Sequence, residues 1–195
     1  DNGHMDYIGE IERFAPAGEQ EETDKSIMLS YIRANGRDVL LRDNAIAHIT
    51  SSGFVMNPRL DKVLLVHHNI RGVWAWTGGH ADGDGDLLRV AIREAGEETG
   101  ASAIVPLWDG IASLDILPVF AHARNGVYVN AHLHLSVSYI LVANEREPLR
   151  PRPGENTGVA WFPVESFTLE HFDTRDVYLY NKLIARARRA KAIDN

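Results

Sequence analysis

Residues 78–101, GGHADGDGDLLRVAIREAGEETGA, constrain this chain more than any other stretch. A glycine-rich, acidic loop leads into a short amphipathic helix carrying Arg93, Glu94, Glu97 and Glu98. Residues three and four apart are neighbours on one helix face, so the three carboxylates project toward one small volume. Like charges placed this way repel, and stability alone gives no reason for them. Either the face is simply solvated, as Glu-rich helix faces commonly are, or a divalent cation removes the conflict. Hard oxygen ligands suit Mg²⁺ or Mn²⁺, which take a few carboxylates and leave other positions to water and substrate phosphates. Asp86 is placed to cap this helix and Gly100 to end it, with Leu88, Ala91, Ile92 and Ala95 expected to pack inward.

The rest of the composition narrows the function. A chain of 195 residues fits one domain of roughly 150 residues plus an extension. Hydrophobic residues make up 45 % and charged residues 24 %, enough apolar content for a core. The net charge of -7 argues against a stable nucleic-acid complex, which calls for a basic footprint. The basic cluster of Arg186, Arg188, Arg189 and Lys191 reads as a complement to a helix dipole. An acidic protein acting on anionic substrates needs local positive charge or a metal. The absence of cysteine excludes disulfides and thiol chemistry and fits a reducing compartment. No apolar run approaches the ~20 residues of a membrane span, and no signal-peptide pattern is present, so a cytoplasmic location is expected.

Residues 1–4 read as a remnant ahead of Met5. Residues 5–44 are expected to form a helical extension packed on the core, and 45–195 the main domain. Within the extension, 6–16 read as a strand-like arm, 19–35 as a helix closed by Gly36, and 39–41 as a turn or short helix. Strands are expected at 45–56, 62–67, 73–76, 102–106, 111–119 and 127–142, and a closing helix at 173–190. Trp74 and Trp76 are two apart, so on a strand they share a face, either in the core or against a substrate ring. His132 and His134 share a face opposite Leu133 and Leu135. They line a polar pocket or an ordinary sheet surface; a zinc reading is weak without a third ligand at motif spacing. Residues 144–156 form a polar loop with three prolines, ending at Glu155 just before an apolar strand.

The 78–101 stretch resembles the Nudix box, the signature of the Nudix hydrolase (MutT-like) family, G-x5-E-x7-R-E-U-x-E-E-x-G-U with U apolar. Gly79 opens it, Arg93-Glu94 is the R-E pair, Ala95 the first U, Glu97-Glu98 the E-E pair, and Gly100-Ala101 closes it. One position departs: Gly85 stands where the isolated glutamate belongs, flanked by Asp84 and Asp86. The resemblance implies an α/β fold, an α/β/α sandwich around a mixed β-sheet. It also implies hydrolysis of a nucleoside diphosphate linked to another moiety, by attack of metal-activated water on phosphorus. On the same basis Glu94, Glu97 and Glu98 are the expected ligands for Mg²⁺, or Mn²⁺, and Arg93 orients the carboxylates through an ion pair. Glu98 or Glu155 takes the proton of the attacking water. Trp74, Trp76, Gly78, Gly79, His80, His132 and His134 are the expected substrate contacts.

The expected partner is a small-molecule nucleoside diphosphate derivative. Many relatives dimerise, which makes a homodimer one expectation for the assembly. The missing cysteine counts against the isopentenyl-diphosphate isomerase branch of the fold. Two alternatives stand beside the enzyme. One is a catalytically weak Nudix-fold module that binds a nucleotide or metabolite and regulates a partner, a reading that Gly85 encourages. The other is an interaction protein whose Glu-rich helix is only surface. ADP-ribose, nucleotide sugars, dinucleoside polyphosphates and damaged nucleoside triphosphates all stay open as substrates.

Overall fold

Alternation along two long strands decides the architecture. In the computed structural model, which describes residues 6–193, the strands are β1 (Ala47–Met56), β2 (Lys62–His68), β3 (Val73–Ala75), β4 (Thr77–His80), β5 (Val105–Pro106), β6 (Ser113–Val119), β7 (His122–Arg124), β8 (Val127–Val129), β9 (His132–Val142) and β10 (Asn156–Pro163). The helices are α1 (Tyr7–Arg13), α2 (Glu19–Asn35), α3 (Leu87–Thr99) and α4 (Thr174–Ile193). β1 and β9 run parallel, with His48 opposite His134 and Phe54 opposite Ile140. Around them the order is β10-β2-β1-β9-β5; β3 joins β2, β4 joins β1 and β6 joins β9, all antiparallel. This is the expected mixed sheet.

Successive strand residues face opposite ways, and the two faces build two cores. Ile49, Val55, Leu135, Val137 and Leu141 meet Ile11, Met28 and Ile32 from the first two helices and Leu87, Ala91 and Ala95 from α3. Phe54, Met56, Val63, Leu65 and Ile140 meet Leu179, Tyr180, Leu183 and Ala187 of α4. Residues 1–4, expected as a remnant ahead of Met5, lie outside the described residues. No helix among the described residues is long and apolar enough to cross a membrane.

Several expectations need correction. Residues 6–16 are not a strand-like arm but contain α1: Asp6 Oδ1 accepts a bond from the Gly9 N–H at 3.0 Å, and Tyr7 and Ile11, one helical turn apart, are both buried. The glycine-rich loop begins later than expected, because Gly78 and Gly79 belong to β4, opposite Ser52 and Ser51. A Cβ on Gly78 would lie 2.9 Å from Ser52 Cα, so only glycine lets the two backbones approach this closely. On α3, Leu88, Ala91, Ile92 and Ala95 all pack against the core as expected, Leu88 and Ile92 only partly buried, and the buried face also takes in Leu87, Val90, Glu98 and Thr99. The expected 127–142 strand is two strands. Asn130 interrupts it, donating from its side chain to the Ala45 carbonyl at 2.8 Å. The earlier piece, β8, pairs with β7 through Asn125-Gly126, whose φ angles of 51° and 77° mark a tight primed hairpin turn. At 102–106 only Val105–Pro106 pairs with β9.

The N-terminal helices are tied to the sheet and to α4 by charge. Glu21, 1 % exposed, meets the Arg186 guanidinium, with a 2.7 Å bond from Nη1 to Oε2. Lys182 reaches the same Oε2 at 3.4 Å and Asp115 Oδ1 at 2.7 Å. Arg186 and Lys182 thus serve a buried ion-pair network, beyond any complement to the helix end. Burial alone would raise the Glu21 carboxyl, but Arg186, the Ala17 N–H and Lys182 outweigh it and hold the carboxyl down at about 2. Breaking a buried pair from one side leaves an uncompensated charge. Arg186→Met is therefore expected to cost about 3–5 kcal/mol in urea unfolding at neutral pH. The Glu21 contribution is present above its ordinary value of 4.5 and is lost as pH falls toward about 2. Glu21→Gln should be less stable at neutral pH and should lack that acid-side slope.

Candidate functional site

α3 is fixed at both ends. Asp86 Oδ1 accepts from the Arg89 N–H at 3.1 Å, and Gly100 closes the helix in the left-handed region at φ 76°. Asp84 holds the Arg89 guanidinium at 2.8 Å and the Asp86 N–H at 2.9 Å. Gly85 is buried between these two aspartates, which brace the loop onto the helix through Arg89.

Two carboxylates of α3 and one from the loop before β10 gather around one guanidinium. Arg152 Nη1 lies 2.9 Å from Glu97 Oε2, 3.4 Å from Glu155 Oε2 and 3.6 Å from Glu94 Oε2. Arg93 pairs with Glu94 Oε1 at 3.1 Å. Glu94 lies against Gly79 so closely that a Cβ there would fall 2.5 Å from the Glu94 carboxyl carbon. Asn156 staples the Arg152 loop to α3, accepting from the Arg152 N–H at 2.8 Å and donating to the Glu98 carbonyl at 3.1 Å. Glu98 points inward, 5 % exposed, and accepts the Gly78 N–H at 2.8 Å. Burial pushes its carboxyl up to about 8; the Gly78 N–H opposes this, while Glu94 and Glu155 add to it. Glu94, Glu97, Glu98 and Glu155 are hard oxygen donors of the chemistry that suits a divalent cation; with Arg152 drawn among them, no three bring ligand atoms within 4.8 Å of one another.

The other expected contacts lie elsewhere. Trp74 packs against Phe162 at 5.1 Å between ring centroids, and the Trp76 N–H donates to Tyr180 Oη at 3.1 Å, both on the α4 side. His80, His132 and His134 are not brought to the carboxylates. They meet His48, with centroids 5.1, 4.9 and 5.2 Å from its ring, on the sheet face opposite Glu94. Burial drives His134 down to about 2 and His80 to about 3, and lowers His48, so it favours the neutral form of each ring.

The NUDIX domain family model matches residues 47–183. The chain belongs to the Nudix family. Hydrolysis of phosphoric anhydride bonds in small-molecule nucleotide derivatives is the activity typical of that family. Solved structures share the fold. A Nudix hydrolase from Clostridium perfringens superposes with a TM-score of 0.51 at 21 % identity, covering 71 % of this chain and 96 % of that one. An Ap4A hydrolase from C. elegans gives 0.51 at 16 %, covering 70 % and 95 %. A Nudix hydrolase from Nitrosomonas europaea gives 0.51 at 21 %, covering 69 % and 86 %. Against curated protein sequences the chain finds no match.

Sequence reasoning missed three residues of this Nudix site and its surroundings. Arg152 sits in an irregular loop and Asn156 at the first residue of β10, where no periodicity announces a position. His48 is buried in β1, and only the β1–β9 register reveals its proximity to His134.

Two outcomes follow from the electrostatics. Below pH 4.5 folded and unfolded chains both hold the Glu98 proton; as pH rises toward about 8 the unfolded chain ionises first and the fold loses stability. In EDTA, chemical unfolding across that window should show this slope, of the order of a few kcal/mol at about 1.4 kcal/mol per unit, and Glu98→Gln should flatten it. Arg152→Ala should lower the Tm in EDTA by leaving the carboxylates to repel, and millimolar Mg²⁺ should restore most of the loss.

Proposed function

We propose that this Nudix protein is a metal-dependent pyrophosphohydrolase that cleaves a nucleoside diphosphate linked to another moiety. The observation that carries the proposal is the convergence of Glu94, Glu97 and Glu155 on Arg152, with Glu98 held beneath them by Gly78. Glu94, Glu97 and Glu98 would hold Mg²⁺ or Mn²⁺. Such a cation, when bound, neutralises phosphate oxygen charge and acidifies water.

The protein residues do the rest. Glu98 is buried and anchored by a backbone N–H, which suits a fixed ligand. Glu155 has a side chain 40 % exposed, on the loop facing solvent, which suits a general base that takes a proton from water and releases it. Arg93 holds Glu94 in orientation. Arg152 is a bidentate-capable cation that can turn from the carboxylates to a pyrophosphate oxygen once their charge is otherwise met. Gly78 and Gly79 keep β4 flat against Ser52 and Glu94.

A second reading is favoured by Arg152 itself. A built-in cation among the carboxylates, together with Gly85 in the box, fits a module that binds a nucleotide without turning it over.

One panel separates the two: ADP-ribose, a nucleotide sugar, Ap4A and a damaged nucleoside triphosphate, each with Mg²⁺ and with EDTA. Ap4A is included because the nematode structure of this fold is an Ap4A hydrolase. Turnover dependent on metal is expected for one compound. Glu155→Gln should lower kcat by about 10²–10⁴-fold with little change in KM, and Glu98→Gln should abolish the metal response. Unchanged turnover in Glu155→Gln would move the general base to Glu98. Tight binding of an intact nucleotide without turnover would establish the binding module.

A further inference from the structure

Across the sheet from the carboxylates lies a second set of ligands with different chemistry. His48 on β1, His80 at the end of β4 and His134 on β9 each offer one ring nitrogen, and these three atoms lie within 4.8 Å of one another. Among the described residues, no other group of three His, Cys, Asp or Glu comes this close. We propose that His48, His80 and His134 form a binding site for a transition-metal ion of the Zn²⁺ type, separate from the carboxylate site.

Three observations carry this. The first is the state of His48. Its Nδ1 lies 3.0 Å from the Asn44 carbonyl, which can only accept, so the proton sits on Nδ1 and Nε2 presents a lone pair. That Nε2 is buried and has no hydrogen-bond partner. A metal-binding histidine characteristically anchors one nitrogen on a carbonyl and turns the other to the ion. The second is the backbone that presents the rings. Register places His48 opposite His134 in the parallel β1–β9 ladder, and His80 opposite Thr50 on the same face. All three side chains thus project from one rigid sheet. The third is His132. Its Nδ1 is held by the Asn130 carbonyl at 2.8 Å, and its Nε2 stands 3.3 Å from His134 Nε2. It flanks His134 at the edge of the group of three, outside the set of mutually close ligand atoms.

The donor set selects the ion. Three imidazoles with no carboxylate suit Zn²⁺, Cu²⁺ or Ni²⁺ and not Mg²⁺. Three neutral histidines with one open position form a recognised zinc arrangement. Zn–N bonds of about 2.0–2.1 Å put ligand atoms about 3.4 Å apart in a tetrahedron, so the rings must close by small rotations from their present spacing. His80 and His134 are only partly buried, which leaves a path of entry. The site makes no use of the Nudix carboxylates, and its failure would leave the hydrolase reading intact.

The full chain is titrated with Zn²⁺ by calorimetry, and with Co²⁺ while the visible spectrum is followed. The expected result is one Zn²⁺ per chain retained in Glu97→Gln/Glu98→Gln, with the intense Co²⁺ absorption of a four-coordinate nitrogen site. His80→Gln and His134→Gln should each weaken zinc by more than about 100-fold. Histidine-ring NMR of the unmutated chain gives the same readout without mutation: Zn²⁺ should shift the ring nitrogens of His48, His80 and His134 together. Absence of zinc binding, zinc bound only through the carboxylates, or unmoved ring resonances for these histidines would each overturn the site.

Discussion

Ten consecutive register partners hold β1 against β9 in parallel, and the positions of both sites derive from that ladder. It puts His48 beside His134. It also leaves the other edge of β1 to be shared, by β4 over Thr50–Gly53 and by β2 over Val55–Met56. β4 is thereby fixed as the short piece whose Gly78 N–H meets Glu98 on one face and whose His80 meets the histidines on the other. A single residue, Gly79, lies between the two contacts. A one-residue slip in the ladder would reverse every side chain and exchange a polar site for a core.

The carboxylate cluster shows how a protein holds charges that function wants together and folding wants apart. Arg152 supplies one positive group to Glu94, Glu97 and Glu155, while Glu98 lies deeper and retains its proton into the neutral range. Glu21 experiences the opposite balance: it too is buried, but two cations meet it, and it stays ionised well below its ordinary range. Burial raises both; the available partners decide the outcome.

Much of the fold was legible in the sequence because it rests on local signals. α2 begins and ends where its acidic first turns and Gly36 indicated, and α3 carries the expected cap at Asp86 and the expected stop at Gly100. The spacing that gathered Glu94, Glu97 and Glu98 on one helix face also placed them against the same loop. What was not legible depends on distance along the chain. Arg152 and Glu97 are 55 positions apart, and neither loop nor helix advertises the pairing. α1 was misread because a single turn offers few residues for a period. His48 was not legible beside His134 because a strand shows its own alternation and not its neighbour; the parallel pairing of β1 with β9 brings the two rings together.

The bond between Arg186 and Glu21 spans 165 positions, and Lys182 and Glu21 are 161 apart. Contacts this distant along a chain close late and slow folding. A chain emerging from the ribosome presents its N-terminal segments first. α2 is complete long before its partner exists, and until α4 arrives the Glu21 carboxylate has neither Arg186 nor Lys182 to meet it. The ion pairs that join α2 to α4 can therefore close only once both helices have been made.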